Sequence, residues 1–257
     1  MSGPPASGDL HLTARIRSAS NATLAGRIGN GEDAVEVVYK PVSGERPLWD
    51  FPDGTLAGRE VAAYLVSEAT SWDLVPPTWL RDGPAGPGMV QVWCEPDPDQ
   101  EAVTVVPGGA VPDGWHHVFD GLDAADRVVS LVHEESAALC RIAVFDLVVN
   151  NADRKGGHVL EMPGGHRYGI DHGLTFHVDP KLRTVLWGWV GKPLSAEEVA
   201  GAARVRDALD GPLAGRLEAL LTAAEIAALA ERCDRLLADP VFPAPLGHLP
   251  AVPWPPF

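Results

Sequence analysis

The sequence predicts an α+β fold of two lobes, with β-strands concentrated in the first lobe and α-helices in the second. The early part of the chain alternates apolar and polar residues, which is typical of strands. The later part places apolar residues at helical spacing and carries two helix-start signatures. An acidic, proline-bearing stretch, Glu95 to Gln100, separates the two patterns. We therefore expect an N-terminal lobe over residues 10–95, a C-terminal lobe over residues 96–239 and a proline-rich tail over residues 240–257, with a cleft between the lobes.

The first lobe is expected to contain five strands and one helix. The strands are predicted at residues 10–17, 23–28, 34–40, 78–80 and 89–94. Asn30-Gly31, between the second and third strands, is a hairpin signal. The helix is predicted from Leu56 to Thr70, where apolar residues recur at intervals of three and four.

The second lobe is predicted to be mostly helical. Residues 124–150 form one apolar-rich pattern, which we interpret as a long helix broken at most once. Two short strands, at 158–162 and 167–170, form a hairpin around Pro163-Gly164-Gly165. Ser195 with Glu198, and Thr222 with Glu225, have the spacing of capping boxes and predict two late helices. The tail lacks periodicity and is expected to be extended on the surface.

Charge and cysteine usage narrow the class of protein. Thirty-five acidic residues against 20 basic ones give a formal net charge of −15, and the basic residues form no cluster. Such a surface repels nucleic-acid phosphates and anionic lipid headgroups, so neither is expected as a partner. The three cysteines lie far apart, without zinc or disulfide spacing, and the first residues lack a signal-peptide pattern. We therefore expect a cytoplasmic protein.

Four charged residues occur in the order that phosphoryl transfer requires. Lys40 ends the third strand, and Glu60 lies on the helix that follows. Asp153 lies in a loop after the long apolar pattern, and Asp171 follows it by 18 residues, with the hairpin between them. A strand lysine on the ATP phosphates, a helix glutamate that pairs with it, a catalytic aspartate and a metal-binding aspartate are the parts of a kinase. The order predicts a bilobal protein-kinase-like fold with a nucleotide cleft.

At these residues the chain resembles a known superfamily. Asn151-Ala152-Asp153-Arg154 resembles the catalytic loop of phosphatidylinositol 3- and 4-kinases and of HipA-type bacterial kinases. Ile170-Asp171-His172-Gly173 is similar to their metal-binding loop, and Arg59 to Tyr64 is similar to the glutamate-bearing helix of type II phosphatidylinositol 4-kinases. The wider sequence, roughly Leu10 to Trp189, resembles an actinobacterial family related to these kinases.

The resemblance implies a role for each residue. Lys40 would bind the phosphates, Glu60 would pair with it, Asp153 would be the catalytic aspartate and Asp171 a metal ligand. Gln91, Val92 and Trp93, continuing to Cys94, would form the adenine-binding hinge. The turn that contains Ser20 and Asn21 lies where a phosphate-covering loop belongs, although it lacks a Gly-x-Gly pattern.

Two positions depart from the kinase pattern. Lys155 replaces a histidine, and His158 replaces the metal-binding asparagine. Imidazole suits Mn²⁺ better than Mg²⁺, so we expect Asp171 and His158 as metal ligands, with a preference for Mn²⁺.

The sequence favours an ATP-dependent phosphotransferase that uses Mg²⁺ or Mn²⁺ and acts on a protein Ser/Thr or on a small-metabolite hydroxyl. The alternatives are a pseudokinase that binds nucleotide or a partner without transfer, a nucleotidyl transferase on the same fold, and a metal-dependent hydrolase built on Asp153, His158, Asp171 and His172. The hydrolase leaves Lys40 and Glu60 unexplained.

Overall fold

The computed structural model describes residues 8–16, 22–46, 48, 51, 55–247 and 250–257. The turn residues Ser20 and Asn21 lie outside the described residues, as does Trp49 in the loop before the helix.

A five-stranded antiparallel sheet forms the first part of the chain. Its strands lie in the spatial order β1-β2-β3-β5-β4. They are β1 (Leu10–Ile16), β2 (Thr23–Ile28), β3 (Val35–Pro41), β4 (Thr78–Gly83) and β5 (Gly86–Val92). Val37 and Tyr39 point into the buried face of β3, and Lys40 points to the opposite face because strand side chains alternate. All five predicted strands are present, with boundaries that differ by a few residues.

Helix α1 (Leu56–Thr70) has the predicted bounds and packs between the sheet and the later helices. Its buried residues include Val61, Ala62 and Val66, which the helical spacing places on the packed side. The Glu45 carboxylate accepts the backbone N–H groups of Leu56 (3.2 Å) and Ala57 (2.8 Å). A side chain distant in sequence therefore caps the first turn, where N–H groups have no partner within the helix.

The predicted helix over residues 124–150 is wrong in its first half. Val128–Glu134 is a strand, β8, which lies between β6 (Val103–Pro107) and β7 (Trp115–Leu122) in a three-stranded antiparallel sheet. Helix α2 begins only at Ala137, where the Ser136 hydroxyl accepts the N–H of Leu139. A short apolar run fits a buried strand as well as a buried helix, so its spacing alone does not distinguish them.

Helix α2 (Ala137–Val149) leads directly into the predicted catalytic loop. After that loop come β9 (Val159–Glu161) and β10 (Arg167–Gly169), which form the predicted antiparallel hairpin. The hairpin returns the chain to the end of α2, where the Phe176 N–H donates to the Val149 carbonyl at 2.7 Å.

The remaining helices pack around α1 and α2. They are α3 (Ala196–Leu209), α4 (Pro212–Leu217) and α5 (Ala223–Ala238). Both predicted capping boxes are present, at Ser195 with Glu198 and at Thr222 with Glu225. One hydrophobic cluster joins α1, α2, α3 and α5, and a smaller cluster lies within the five-stranded sheet. The larger cluster extends across residue 95, so a lobe boundary there stays a prediction.

The antiparallel sheets and the five α-helices of the described residues confirm the predicted α+β class. The bilobal kinase-like arrangement stays a prediction. None of the helices in the described ranges combines the length and the apolar character that crossing a membrane requires.

Candidate functional site

Lys40 contacts one carboxylate from each part of the fold. Its Nζ lies 2.6 Å from Glu60 Oε1 and 2.7 Å from Asp171 Oδ1. Glu60 Oε2 also accepts the backbone N–H of His172 at 2.9 Å. The structure therefore brings together three residues that are far apart in sequence, each supplied by a different element: β3, α1 and the segment after β10.

The electrostatics of this triad follow from its burial. Desolvation lowers the pKa of Lys40, but the carboxylates of Asp171 and Glu60 outweigh it and raise that pKa well above its ordinary value. The Lys40 ammonium in turn holds the pKa of Asp171 well below its ordinary range. Burial raises the pKa of Glu60, whose side chain is only 3% exposed. Lys40 and Asp171 are therefore charged at neutral pH.

The loop that carries Asp153 is fixed by a fully buried ion pair. Arg154 donates from Nε to Asp146 Oδ2 (2.8 Å) and from Nη2 to Asp146 Oδ1 (2.9 Å), and both side chains are completely buried. Asn151 donates to the same Asp146 Oδ1 at 2.9 Å and accepts the Asp153 N–H at 3.0 Å. Asp146, on α2, thus sets the position of the loop on both sides of Asp153.

Arg154 also contacts the residues before and after the β9–β10 hairpin. Its Nη1 donates to the carbonyls of His158 (2.8 Å) and Ile170 (3.1 Å), and its Nη2 lies 2.7 Å from His172 Nε2. Since arginine only donates, His172 Nε2 is the acceptor and the ring is neutral. Burial, and the nearby Arg154 charge, lower the pKa of His172 well below its ordinary value. The neutral His172 ring therefore links the Asp171 segment to Arg154.

His158 lies between Asp153 and Asp171 in the same site. Its Nδ1 lies 2.9 Å from the Asp153 carbonyl oxygen, and its Nε2 lies 3.4 Å from Asp171 Oδ2. A carbonyl only accepts, so Nδ1 carries a proton. When the ring is neutral, the Nε2 lone pair faces Asp171. A ligating histidine is commonly oriented in this way by a hydrogen bond from its other nitrogen. Burial lowers the pKa of His158, which favours the neutral ring.

The donors present fit a metal shared with a nucleotide. Asp171 Oδ1 is occupied by Lys40, which leaves Oδ2 and His158 Nε2 as adjacent donors. Within the described ranges, no three His, Cys, Asp or Glu side chains converge as a metal-binding group. Mg²⁺ at phosphate sites is typically bound through one or two protein carboxylates, with substrate phosphates and water completing the shell. Asp171 also has φ of 59°, in the left-handed region that few residues other than glycine adopt.

These residues line one cavity of about 700 Å³ between the five-stranded sheet and the hairpin segment. Of the residues predicted from the sequence, it includes Lys40, Glu60, Gln91, Trp93, Asp153, His158 and Asp171. Burial raises the pKa of the Asp153 carboxyl, although the nearby His158 and Lys155 act in the opposite direction. Asp153 and Asp171 thus share a cavity but differ in electrostatic environment.

The predicted hinge residues lie on β5 and just beyond it. Gln91 Nε2 donates to Thr78 Oγ1 at 2.9 Å. The N–H of Val92 donates to the Pro77 carbonyl at 3.0 Å, and the N–H of Trp93 donates to the Glu36 carbonyl at 2.9 Å. Val92 is not among the lining residues found in the described part of the chain. The backbone N–H groups of Val92 and Trp93 are therefore already hydrogen-bonded within the protein.

The C-terminal tail contributes to the cavity, which the sequence did not predict. Pro255 and Phe257 line it, and the Gly156 N–H donates to the Pro256 carbonyl at 2.8 Å. The ring of Phe257 lies against Gly156, so closely that a Cβ at position 156 would overlap the ring. No periodicity in the tail could have indicated this contact.

Glu45 and Lys155 are further site residues. Glu45 lines the cavity at the start of α1, and Lys155 Nζ lies 3.5 Å from Asp153 Oδ2. Lys155 departs from the kinase pattern, and its ammonium lies next to the predicted catalytic aspartate, Asp153. Glu45 lies in a loop without periodicity, so only its contacts in the folded chain indicate a role.

The comparisons with known proteins identify one curated relative. Protein Rv2133c of Mycobacterium tuberculosis is 51% identical over 261 residues, which cover 98% of this chain and 94% of that protein. That name states no activity. No model of a known protein family matches the chain. Among solved structures, the chain is similar to the Helicobacter pylori proinflammatory kinase CtkA, with a TM-score of 0.40 and 10% sequence identity over 92% of this chain and 91% of that one.

Proposed function

The chain belongs to the same family as protein Rv2133c of Mycobacterium tuberculosis, and for this chain we propose a metal-assisted, ATP-dependent phosphotransferase activity. The observation that carries the proposal is Lys40 Nζ, which lies within 2.7 Å of both Glu60 and Asp171 in a cavity that also contains Asp153 and His158. A lysine fixed by a buried glutamate beside a metal-binding aspartate is the arrangement that orients ATP phosphates.

Each residue has a defined task in the proposed reaction. Lys40 binds phosphate oxygens, and Glu60 keeps the lysine in place. Asp153 accepts a hydrogen bond from the acceptor hydroxyl and takes its proton as the new oxygen–phosphorus bond forms. The bond from the γ-phosphorus to the β,γ-bridging oxygen breaks, and ADP leaves. Burial raises the pKa of Asp153, which makes it a better proton acceptor than an exposed aspartate.

Asp171 and His158 would hold the metal. Bound there, the metal would neutralise charge on the phosphate oxygens. We propose that the site prefers Mn²⁺ over Mg²⁺, because a neutral imidazole replaces the oxygen ligand that Mg²⁺ favours. The hydrogen bond between His158 Nδ1 and the Asp153 carbonyl supports this proposal, since it directs the Nε2 lone pair toward Asp171. A higher nucleotide affinity in Mg²⁺ than in Mn²⁺ would contradict it.

The acceptor is proposed to be a protein Ser/Thr, as in the HipA-type kinases that the loop sequences resemble, or a small-metabolite hydroxyl. The net charge of −15 disfavours docking on an anionic lipid surface, so the phosphatidylinositol kinase resemblance concerns the ATP site rather than the acceptor.

Two measurements test the proposal. The first is thermal melting with ATP and either Mg²⁺ or Mn²⁺, in the wild type, in Asp171→Asn and in Asp113→Asn, an exposed aspartate away from the cavity. Binding to the native state alone stabilises by about 2.7 kcal/mol at a hundredfold excess over Kd. We expect a metal-dependent shift that Asp171→Asn loses and Asp113→Asn retains. Equal shifts in all three proteins would contradict the assigned site.

The second measurement follows label transfer from ATP in a protein and metabolite extract. Transfer from γ-labelled ATP that Asp153→Asn abolishes, while ATP binding persists, supports a phosphotransferase. Transfer from α-labelled ATP would instead identify a nucleotidyl transferase on the same fold.

A nucleotide-binding module without transfer is the second candidate. It is favoured by Lys155, which replaces the histidine of the kinase pattern and whose Nζ lies 3.5 Å from Asp153 Oδ2, so that a cation faces the carboxylate that would take the acceptor proton. A melting shift that depends on Asp171, without transfer from either label, would support this alternative.

A further inference from the structure

A second cavity lies in the helical part of the chain, away from the candidate site. It has a volume of about 940 Å³ and lies between α2, α5 and the chain at residues 241–246 and 250–251. Its wall is largely apolar, and the apolar side chains include Leu147, Val178, Leu182, Trp187, Leu236 and Phe242. This volume lies within the range of small-molecule sites in proteins.

One buried cation lines this apolar cavity. Arg232, on α5, is only 8% exposed. Its Nε donates to the Val148 carbonyl at 2.7 Å, and its Nη1 donates to the His177 carbonyl at 3.3 Å. Its Nη2 is buried and has no hydrogen-bond partner in the described part of the chain. Both recorded partners are neutral carbonyls, so no carboxylate within the described ranges forms an ion pair with this guanidinium.

An uncompensated buried charge is energetically costly. A buried arginine is normally paired with an anion, because the guanidinium loses its hydration and needs a partner for each N–H. Burial lowers the pKa of Arg232 to about 10, so it is still protonated at neutral pH. An anion that enters the cavity beside Arg232 would therefore compensate this charge.

We propose that this cavity binds a small amphipathic carboxylate, whose carboxylate pairs with Arg232 and whose apolar body fills the space between α2, α5 and residues 241–246. The apolar wall and the single buried guanidinium match the two ends of such a ligand. This site is independent of the proposed phosphotransfer.

The charges around the cavity favour a monoanion over a phosphate. Glu231 and Asp239 also line the cavity, and the Glu231 side chain is 72% exposed. Arg235, also on α5, is 66% exposed and lies 3.9 Å from Glu231, so the charges of these two side chains offset each other and are largely screened by solvent. Arg232 is therefore the one buried charge among the described lining residues, and a single guanidinium compensates a monoanion more fully than a doubly charged phosphate.

A purely structural role for Arg232 is the competing explanation. Its bond to the Val148 carbonyl satisfies the C-terminal end of α2, as a basic side chain near a helix end commonly does. That role uses Nε and does not require the cavity. A change that fills the cavity and leaves Arg232 intact therefore separates the two explanations.

The test is isothermal titration calorimetry with decanoate below its micelle concentration, on the full chain. Decanol, of similar apolar size but uncharged, serves as the control ligand. Arg232→Gln removes the guanidinium, and Ala228→Phe fills the cavity from α5. Ala227→Phe adds the same ring at an exposed neighbouring position that does not line the cavity.

We expect decanoate to bind the wild type and Ala227→Phe with equal affinity, and to bind Ala228→Phe and Arg232→Gln at least tenfold more weakly. For Arg232→Gln, the loss of a hydrogen bond to a charged group weakens binding by about tenfold or more. We expect decanol to bind at least tenfold more weakly than decanoate. No decanoate binding to the wild type, or equal binding to Ala228→Phe and Ala227→Phe, would overturn the proposal. If Arg232→Gln fails to fold, the comparison of Ala228→Phe with Ala227→Phe still tests whether decanoate binds in this cavity.

Discussion

Lys40 Nζ lies 2.7 Å from Asp171 Oδ1, although 131 residues separate the two in the chain. The pair joins the end of β3 to the segment that follows the β9–β10 hairpin. Glu60, on α1, completes the arrangement from the other side of the lysine. A change at any one of the three residues therefore alters the charge balance of the other two.

Removal of the Lys40 charge is expected to reduce phosphotransfer strongly. Lys40→Met removes the cation that would stabilise charge on the phosphates, and we expect transfer to fall by about 10²–10³-fold. Lys192→Met is the matched control, since Lys192 is exposed and its contact with Glu135 is long, at 3.4 Å. The measurement is the rate of label transfer from γ-labelled ATP. Similar rates in the wild type and Lys40→Met would exclude Lys40 from the reaction.

Asp146 is expected to be important for stability. Asp146→Ala leaves the fully buried Arg154 without its carboxylate, and breaking a buried pair in this way costs about 3–5 kcal/mol. Asp210→Ala, which breaks the exposed pair with Arg206, should cost at most about 1 kcal/mol. Urea unfolding of both variants measures the difference. Equal costs would mean that burial adds nothing to the contribution of the Arg154–Asp146 pair.

Two helical glycines are expected to respond oppositely to alanine. A Cβ at Gly201, in α3, would overlap the buried ring of Trp72, so Gly201→Ala should destabilise by about 1–3 kcal/mol. Gly215, in α4, has open space at the Cβ position, and Gly215→Ala should stabilise by up to about 1 kcal/mol. Thermal melting of the two variants measures the change in stability of each. Stabilisation by both would show that Trp72 moves aside without cost.

His133 is expected to make stability depend on pH. Burial lowers its pKa to about 4 from the ordinary 6.5, and its Nε2 accepts the Gly188 N–H at 3.0 Å. Between pH 4 and pH 6.5, His133 is protonated in the unfolded chain but neutral in the folded chain. This contribution is therefore complete above pH 6.5 and is lost as pH falls toward 4, at ~1.4 kcal/mol per pH unit.

The slope of unfolding free energy between pH 7 and pH 5 tests this prediction. His133→Gln should flatten the slope, whatever its effect at pH 7, and His11→Gln, at an exposed position on β1, should leave it unchanged. The titratable and charged groups that act on His133 are His116, Glu134 and Lys192. His116 in turn lies 3.5 Å from Glu135. An unchanged slope in His133→Gln would assign the pH dependence to other groups.

The sequence predicted the parts of the fold whose periodicity is unambiguous. Helix α1 has fifteen residues with apolar spacing of three and four, and its bounds were predicted correctly. The two capping boxes were predicted from local chemistry alone. Strand β8 was mistaken for helix, because seven residues with a buried centre fit either structure. Only its pairing with β6 and β7, which are distant in sequence, determines that it is a strand.

The candidate site likewise contains residues that the sequence predicts and residues that it does not. Lys40, Glu60, Asp153, His158 and Asp171 were found because the order of their elements along the chain matches a known pattern, and the cavity contains them all. Their chemical roles stay predictions. Glu45, Phe257 and Asp146 could not be found from the sequence, because their importance comes from contacts made only after folding.

The contact between Gly156 and Phe257 constrains how this sequence can change over evolutionary time. While an aromatic ring occupies the position at 257, any residue with a Cβ at 156 forces one of the two segments to move. Substitutions at the two positions are therefore coupled, although 101 residues separate them. Among relatives of this chain, including the mycobacterial protein, we expect a side chain at the first position to be accompanied by a small or displaced residue at the second.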